Sequence, residues 1–181
     1  MLRAYLAGPD VFLPDAPAHA ARKRALCARH GIEALAPLNE DVASLAGMDP
    51  AEAWQTIYRK DVAMMEAADI AIANLTPFRG VSADSGTLVE LGWFLGRGKP
   101  VIGYSNDATP FAARCHAFTA RCPDPLPGIS VEGFGLADNL MILGALAETG
   151  GHPMLLPADG VSLPFDSLAL FEAAVALAAR R

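Results

Sequence analysis

Glu90 is a carboxylate in a helical segment that is otherwise almost entirely apolar. The segment DSGTLVELGWFLGRGKP spans residues 84–100, and Glu90 is its only charge between Asp84 and Arg97. An ionised carboxylate on such a helix is costly to bury unless it is paired or hydrogen-bonded, so its presence indicates a catalytic or binding group. The alternative is a capping box, in which Thr87 begins the helix and Glu90 bonds back to its backbone N–H. The pattern alone leaves both interpretations open.

A second carboxylate, Asp61, falls on the apolar stripe of a helix predicted over residues 50–67. The stripe passes through Trp54 and Ile57, and Asp61 follows Ile57 by four residues. Aspartate is unfavourable in mid-helix because its side chain competes for backbone hydrogen bonds, so this position indicates a compensating role. The alternative is a solvated face, since Lys60 is adjacent.

The sequence lacks the motifs of several common enzyme classes. It contains no GxGxxG or GxSxG motif, and the glycines of GWFLGRGK close a helix instead of opening one. The cysteines and histidines show no metal-ligand spacing, and Cys115 beside His116 has no orienting partner. The sequence therefore disfavours dinucleotide-dependent dehydrogenases, P-loop nucleotide triphosphatases and hydrolase triads, and it predicts neither a metal site nor a disulfide framework.

Composition and charge limit the fold and the partners. The 181 residues, of which 52% are hydrophobic and 7% aromatic, suit one domain over residues 1–181 in which Ala-rich helices cover buried strands. A net charge of -6 without a basic cluster argues against nucleic acid and favours a small neutral or cationic ligand. Gly8, Pro9 and Asp10 interrupt the first apolar stretch before it could form a signal peptide or a membrane span. We therefore expect a cytoplasmic protein with no membrane partner.

Short apolar segments alternate with helical segments along the chain. Strands are predicted at residues 3–7, 32–36, 69–75, 100–104 and 153–156, and helices at residues 16–30, 50–67, 84–97, 138–148 and 165–179. The alternation predicts an α/β fold, a single-domain flavodoxin-like three-layer sandwich with a five-stranded parallel sheet. Ligands of such folds bind beyond the carboxyl ends of the strands. Residues 106–135 are rich in Pro and Gly and are predicted to be an irregular binding or subunit-contact loop.

Four motifs together resemble the nucleoside 2-deoxyribosyltransferase family. They are YLAGPDVF, ADIAIANLTPFRG, SADSGTLVELG and VEGFGLADNLM, and they follow the family's order from Tyr5 to Met141. The FRG and EGFG segments are most similar to the purine-favouring and trypanosomatid-type members. The resemblance implies transfer of a 2-deoxyribosyl group between nucleobases through a covalent glycosyl–Glu intermediate, with retention of configuration. It implies a 2′-deoxyribonucleoside and a free nucleobase as partners, and no metal or organic cofactor.

The resemblance also implies roles for individual residues. Glu90 matches the family's nucleophile, Asp61 matches the acid that binds and protonates the leaving base, and Tyr5 matches the tyrosine that orients the nucleophile. Asp84 is implied to hold the sugar hydroxyls. The other implied substrate-binding residues are Gly8, Phe12, Asn39, Gly86, Asn139 and Met141.

Two of these assignments carry open alternatives. Asn139 and Met141 match residues that reach into a neighbouring subunit's site, which implies a homo-oligomer with shared active sites. Alternatively, Asn139 caps the helix that it begins. The PLNED turn departs from the pattern of the lactobacillal members, so the residue that contacts the base is left open among Asn39, Glu40 and Asp41.

The implied chemistry suits a pair of carboxylates. A base that leaves C1′ generates an oxocarbenium-like sugar, which one fixed carboxylate can capture while a second carboxyl group protonates the departing nitrogen. One alternative is hydrolysis of 2′-deoxynucleoside 5′-monophosphates, with Arg79, Ser82 and Ser85 at the phosphate, although one arginine supplies few phosphate donors. Another is a non-enzymatic nucleotide-binding module, which would leave Glu90 and Asp61 without a role.

Overall fold

Four parallel strands form the centre of the computed structural model, which describes residues 1–38 and 47–181. Their order, β2-β1-β3-β4, matches the order expected of a flavodoxin-like sheet. The inner strands β1 and β3 are built mainly from Ala, Ile and Leu, as is typical of strands that are buried on both faces. The strands are β1 (Leu2–Ala7), β2 (Ile32–Leu35), β3 (Ile70–Asn74) and β4 (Val101–Tyr104).

Helices cover both faces of this sheet and give three layers. The helices are α1 (Ala16–Arg29), α2 (Pro50–Ala67), α3 (Ser85–Gly96), α4 (Phe111–Thr119), α5 (Leu140–Gly150) and α6 (Ala169–Ala178). Because successive strand residues point to opposite faces, Leu6 packs with α1 and α6, whereas Tyr5 packs with α2, α3 and α5. Tyr5 therefore lies on the same side of the sheet as Asp61 and Glu90.

The prediction of a fifth strand at residues 153–156 was wrong. Leu155 makes a single parallel bridge with Tyr104, through two backbone hydrogen bonds of 2.9 Å to the edge of β4. Pro153 and Pro157 stand two residues to either side and have no N–H to donate, so the pairing does not extend. The described residues therefore form a four-stranded sheet instead of a five-stranded one.

Helix α4 lies within residues 106–135, which were predicted to be irregular. The segment FAARCHAFT follows Pro110, and its alanines and Arg114 favour a helix despite the Pro and Gly residues around it. The last helix begins at Ala169, four residues later than predicted. Within the described residues, every helix is too short or too polar to cross a membrane.

Candidate active site

A pocket of about 200 Å³ opens beside the carboxyl end of β1, between the turn that follows β1 and the helices α2 and α3. Six residues proposed from the sequence line it together. The lining residues are Gly8, Val11, Phe12, Pro37, Ile57, Asp61, Asp84, Gly86, Thr87 and Glu90.

Tyr5 holds the carboxylate of Glu90 from beneath the pocket. The Tyr5 hydroxyl donates a hydrogen bond of 2.5 Å to Glu90 Oε1. The Tyr5 ring is fully buried and stacks on Phe94 at 6.0 Å between ring centroids, so the donor is fixed by packing. Among the described residues, Glu90 Oε2 has no hydrogen-bond partner. One oxygen of the carboxylate is thus anchored while the other is available to a ligand.

Burial and charge shift the acidity of the groups around the pocket. Burial raises the pKa of Glu90 to about 7; the hydrogen bond from Tyr5 opposes this rise, and the charges of Asp61 and Asp84 add to it. Burial also raises the pKa of Asp61, and the charge of Lys60 partly offsets that effect. Burial raises the pKa of Tyr5 as well, so the phenol keeps its proton and remains a donor. The pocket therefore contains two carboxyl groups that both hold protons more tightly than exposed ones.

Asp84 begins α3. Its Oδ2 accepts hydrogen bonds from the Thr87 backbone N–H at 3.0 Å and from Thr87 Oγ1 at 3.2 Å. Because Asp84 is the N-cap, Glu90 stands six residues into the motif and cannot close a capping box with Thr87. The capping-box alternative for Glu90 was therefore wrong, and the half-buried carboxylate of Glu90 does not cap the first turn of α3.

Gly8 and Phe12 form the wall contributed by the turn after β1. Gly8 has a φ of 146°, and a Cβ there would lie 2.8 Å from the Cβ of Asn74, so a side chain cannot be accommodated. Phe12 is 57% exposed, and it stacks on Phe78 at 5.5 Å with the guanidinium of Arg79 placed 4.9 Å above its ring. The wall thus combines a close backbone approach with an exposed aromatic face.

Asn139 and Met141 do not line this pocket. Asn139 caps α5: its Oδ1 accepts from the Met141 backbone N–H at 3.0 Å, and its amide nitrogen donates to Glu132. Met141 is 71% exposed, and both residues border a separate apolar groove between α3 and α5. The three candidates for the base contact, Asn39, Glu40 and Asp41, lie outside the described residues.

Not all of the three residues considered for phosphate binding have a side chain that is free to donate to a phosphate. Ser82 Oγ donates a hydrogen bond of 2.5 Å to Asp138 Oδ1. Arg79 packs on aromatic rings, and Ser85 lies with it in a cleft that adjoins the pocket. Two of the three side chains therefore remain as donors, which is fewer than the sequence suggested.

Four residues that line the pocket were not individually assigned to the site from the sequence. Val11, Pro37 and Ile57 give the pocket its apolar lining, and Thr87 contributes from the first turn of α3. Ile57 could have been assigned from its position one helical turn before Asp61 on the same stripe. Within residues 1–38 and 47–181, no three His, Cys, Asp or Glu side chains are grouped so that they could hold a metal ion.

Comparisons with known proteins match this region of the chain. A family model described as nucleoside 2-deoxyribosyltransferase matches residues 4–141, which include every residue that lines the pocket. The 2-desoxiribosyltransferase from Leishmania mexicana has a TM-score of 0.69 and 30% identity, over 100% of this chain and 99% of that chain. A 2-deoxyribosyltransferase from Bacillus psychrosaccharolyticus shares the fold, with a TM-score of 0.51 and 22% identity over 80% of this chain and 82% of its own. An uncharacterised protein from Schizosaccharomyces pombe is 28% identical over 166 residues, 81% of this chain and 78% of that protein.

Proposed function

This chain belongs to the nucleoside 2-deoxyribosyltransferase family, and from that membership we propose that it moves a 2-deoxyribosyl group between nucleobases through a covalent bond to Glu90. The observation that carries the proposal is the 2.5 Å hydrogen bond from Tyr5 to Glu90, at a pocket that Asp61 also lines. An oriented, half-buried carboxylate and a second carboxyl group are the two groups that retaining transfer at an anomeric carbon requires.

In the first half of the reaction, Glu90 attacks C1′ of the bound deoxyribonucleoside. The C1′–N bond breaks, its electron pair stays on the base, and Asp61 delivers a proton to the departing base. The absence of a 2′-hydroxyl removes an electron-withdrawing group next to C1′ and eases this cleavage. The products of this step are the free base, a Glu90 glycosyl ester and an ionised Asp61.

In the second half, a different base enters and attacks C1′. Its N–H proton passes to Asp61, and the bond between C1′ and Glu90 breaks to regenerate the carboxylate. Two inversions at C1′ give net retention, and the proton balance closes over the cycle. Water must be kept from C1′ between the two steps, and the apolar lining from Val11, Pro37 and Ile57 supports such exclusion.

The raised pKa values of Glu90 and Asp61 bear on this division of roles. Attack requires an ionised Glu90 together with a protonated Asp61, and repulsion between two carboxylates disfavours the state in which both are ionised. Burial raises the pKa of Asp61, which favours the protonated form that can donate to the base.

The proposal also covers the bases that are accepted and the residues that contact the substrate. The similarity of the FRG and EGFG segments to purine-favouring members supports purine deoxyribonucleosides as donors. Within the pocket, we assign the sugar hydroxyls to Asp84 and further substrate contacts to Gly8, Phe12 and Gly86. A single domain over residues 1–181 and a cytoplasmic location stay predictions of the sequence.

We further propose a homo-oligomer in which Asn139 and Met141 of one subunit complete the site of another. An apolar groove between α3 and α5 supports this assembly, because its rim carries the large exposed side chains of Leu95, Leu140 and Met141. In its own chain, Asn139 caps α5 and lies outside the pocket, so a contribution to catalysis would have to come through a neighbour.

The function is tested by incubating the protein with deoxyinosine, with and without adenine, and separating the products by chromatography. Formation of deoxyadenosine is the expected result. Hypoxanthine with free deoxyribose alone would replace transfer by hydrolysis, and deoxyinosine 5′-monophosphate as a parallel substrate tests the phosphate-dependent hydrolase. Absence of any reaction would favour the binding module.

The covalent step is tested on the same mixture without acceptor. Mass spectrometry is expected to find a deoxyribosyl adduct on the peptide that contains Glu90. Glu90→Ala should lose both adduct and transfer, whereas Glu52→Ala, on the exposed first turn of α2, should keep them. Near-normal transfer by folded Glu90→Ala would remove Glu90 from the nucleophile role.

A further inference from the structure

Lys23 is buried directly behind the turn that forms one wall of the pocket. Its side chain is only 3% exposed and lies on the inner stripe of α1. Its ammonium lies 2.6 Å from Asp10 Oδ2, 3.5 Å from the Tyr104 hydroxyl and 4.4 Å from the centre of the Phe171 ring. A buried lysine is costly unless it is paired, so this position calls for an explanation that the proposed transfer does not yet provide.

A hydrogen-bonded chain extends from this ion pair along the carboxyl edge of the sheet. Asp10 Oδ1 accepts from Asn74 Nδ2 at 2.9 Å, and Asn74 Oδ1 accepts from the Thr76 hydroxyl at 2.7 Å. Thr76 Oγ1 in turn accepts from the Asn106 backbone N–H at 2.9 Å. We call these residues the Lys23 chain: Lys23, Asp10, Asn74, Thr76 and Asn106. The chain links the segments that follow β1, β3 and β4.

Asp10 connects the Lys23 chain to the pocket through the backbone. It belongs to the short turn Pro9–Phe12, between Gly8 and Phe12, which both line the pocket. The Asp10 side chain does not line the pocket; it is hydrogen-bonded to Lys23 and Asn74, and His19 Nε2 lies 3.8 Å from its Oδ1. Moving Asp10 would therefore move the wall that faces Glu90, without removing any group from the pocket itself.

We propose that Lys23 is a positioning residue of the transferase: through Asp10 it holds the turn Pro9–Phe12 at the position from which Gly8 and Phe12 contact the deoxyribonucleoside. This inference rests on the proposed function. Burial acts to raise the pKa of Asp10, but the charge and hydrogen bond of Lys23, the hydrogen bond from Asn74 and the charge of His19 together hold it below its usual value, so Asp10 stays ionised. Displacing a substrate-positioning group by about 1 Å is enough to cost on the order of a hundredfold in rate.

The test compares Lys23→Met, Asp10→Asn and the double variant in the deoxyinosine and adenine assay. Each single variant should lower kcat/KM for deoxyinosine by about tenfold to a hundredfold, mainly through a higher KM. The kcat/KM of the double variant should be no lower than that of the less active single variant. Both changes break the same ion pair, and the double variant leaves no unpaired buried charge.

Leu26→Ala is the matched control for a purely structural role. Leu26 is buried one turn further along the same face of α1, and its truncation should lower the melting temperature without touching Asp10. Below its melting temperature, Leu26→Ala should keep wild-type kcat/KM. A folded Lys23→Met variant with wild-type kcat/KM and KM would overturn the inference, and Asp10→Asn decides the matter if Lys23→Met does not fold.

Hydrogen exchange separates a failure of this inference from a failure of the proposed function. Exchange of the amides in residues 8–13, including the Leu13 N–H that bonds to the Asp10 carbonyl at 3.1 Å, should be faster in Lys23→Met than in wild type and unchanged in Leu26→Ala. If wild type makes no deoxyadenosine, the transferase proposal fails and this comparison still tests whether Lys23 holds the turn. Unchanged exchange in both single variants would refute that role.

Discussion

The Tyr5 hydroxyl donates a 2.5 Å hydrogen bond to Glu90 across the contact between β1 and α3. Tyr5 is fully buried in the sheet, and Glu90 projects from the helix that covers it. The bond lowers the pKa of Glu90, whereas burial and the charges of Asp61 and Asp84 raise it, to a net value of about 7. The pH range in which the pocket carries an ionised Glu90 therefore depends on one phenol.

Tyr5→Phe tests that dependence. Without the donated hydrogen bond, the pKa of Glu90 should rise further, and the acid limb of kcat/KM should move to higher pH. A hydrogen bond to a charged group is worth roughly 1.5–3 kcal/mol, so the loss of rate should be about tenfold larger at pH 6 than at pH 9. Tyr58→Phe, on the exposed face of α2, is the control. An unmoved acid limb would exclude the hydrogen bond as a determinant of the acidity of Glu90.

Glu90→Gln should make the protein more stable at high pH. The folded-state pKa of about 7 lies above the ordinary glutamate value of 4.5, so the folded protein binds this proton more tightly and loses stability as the pH rises through that interval. Glutamine cannot ionise and can still accept from Tyr5. The gain in unfolding free energy should approach about 3 kcal/mol at pH 8 and vanish at pH 4, measured by urea denaturation. Equal gains at both values of pH would contradict this origin.

Asp61→Asn should slow departure of the base more than binding of the sugar. An amide can still form a hydrogen bond to the base but cannot deliver a proton, so a rate loss of about 10²- to 10⁴-fold is expected with deoxyinosine. A donor whose leaving group needs no protonation should be affected far less. Pre-steady-state release of the two leaving groups gives the comparison, and equal losses would remove Asp61 from the general-acid role.

Mixed oligomers test whether a site is built from two chains. Glu90→Ala and Asn139→Ala, each nearly inactive alone, should recover activity after they are dissociated and reassembled together, because some sites then combine both intact residues. Glu52→Ala, on the exposed first turn of α2, mixed with Glu90→Ala should show only the activity expected from dilution. If mass spectrometry finds hetero-oligomers without recovery, Asn139 serves as the cap of α5 and not as part of a neighbour's site.

Asp61 and Lys23 occupy the same kind of position in the sequence, but only Asp61 was predicted to be a site residue. Each is a polar residue on the inner stripe of an amphipathic helix, and such a position requires compensation. Asp61 was assigned because a family motif gave it a role, whereas the partner of Lys23, Asp10, lies in a turn 13 residues away. The alternation of strands and helices predicted a flavodoxin-like sheet with helices on both faces, and the observed strand order agrees with it. Contacts between distant side chains do not follow from that alternation.

The errors at Leu155 and α4 have different causes. Leu155 stands in an apolar segment typical of a strand, but the prolines two residues to either side limit it to one bridge. Helix α4 is anchored by Arg114, whose guanidinium donates to the backbone carbonyls of Val81 and Ala137. That anchor depends on segments that meet only in the folded chain, so local composition alone predicted a loop.

The single bridge at Leu155 also determines how the outer edge of β4 meets other molecules. An open strand edge is a template on which a strand of another molecule can pair, and it is a common starting point for aggregation. Here Leu155 occupies the hydrogen-bonding groups of Gly103 and Ser105, and the neighbouring prolines prevent a further strand from being added in register. We expect this side of the sheet to resist intermolecular β-pairing during folding at high protein concentration.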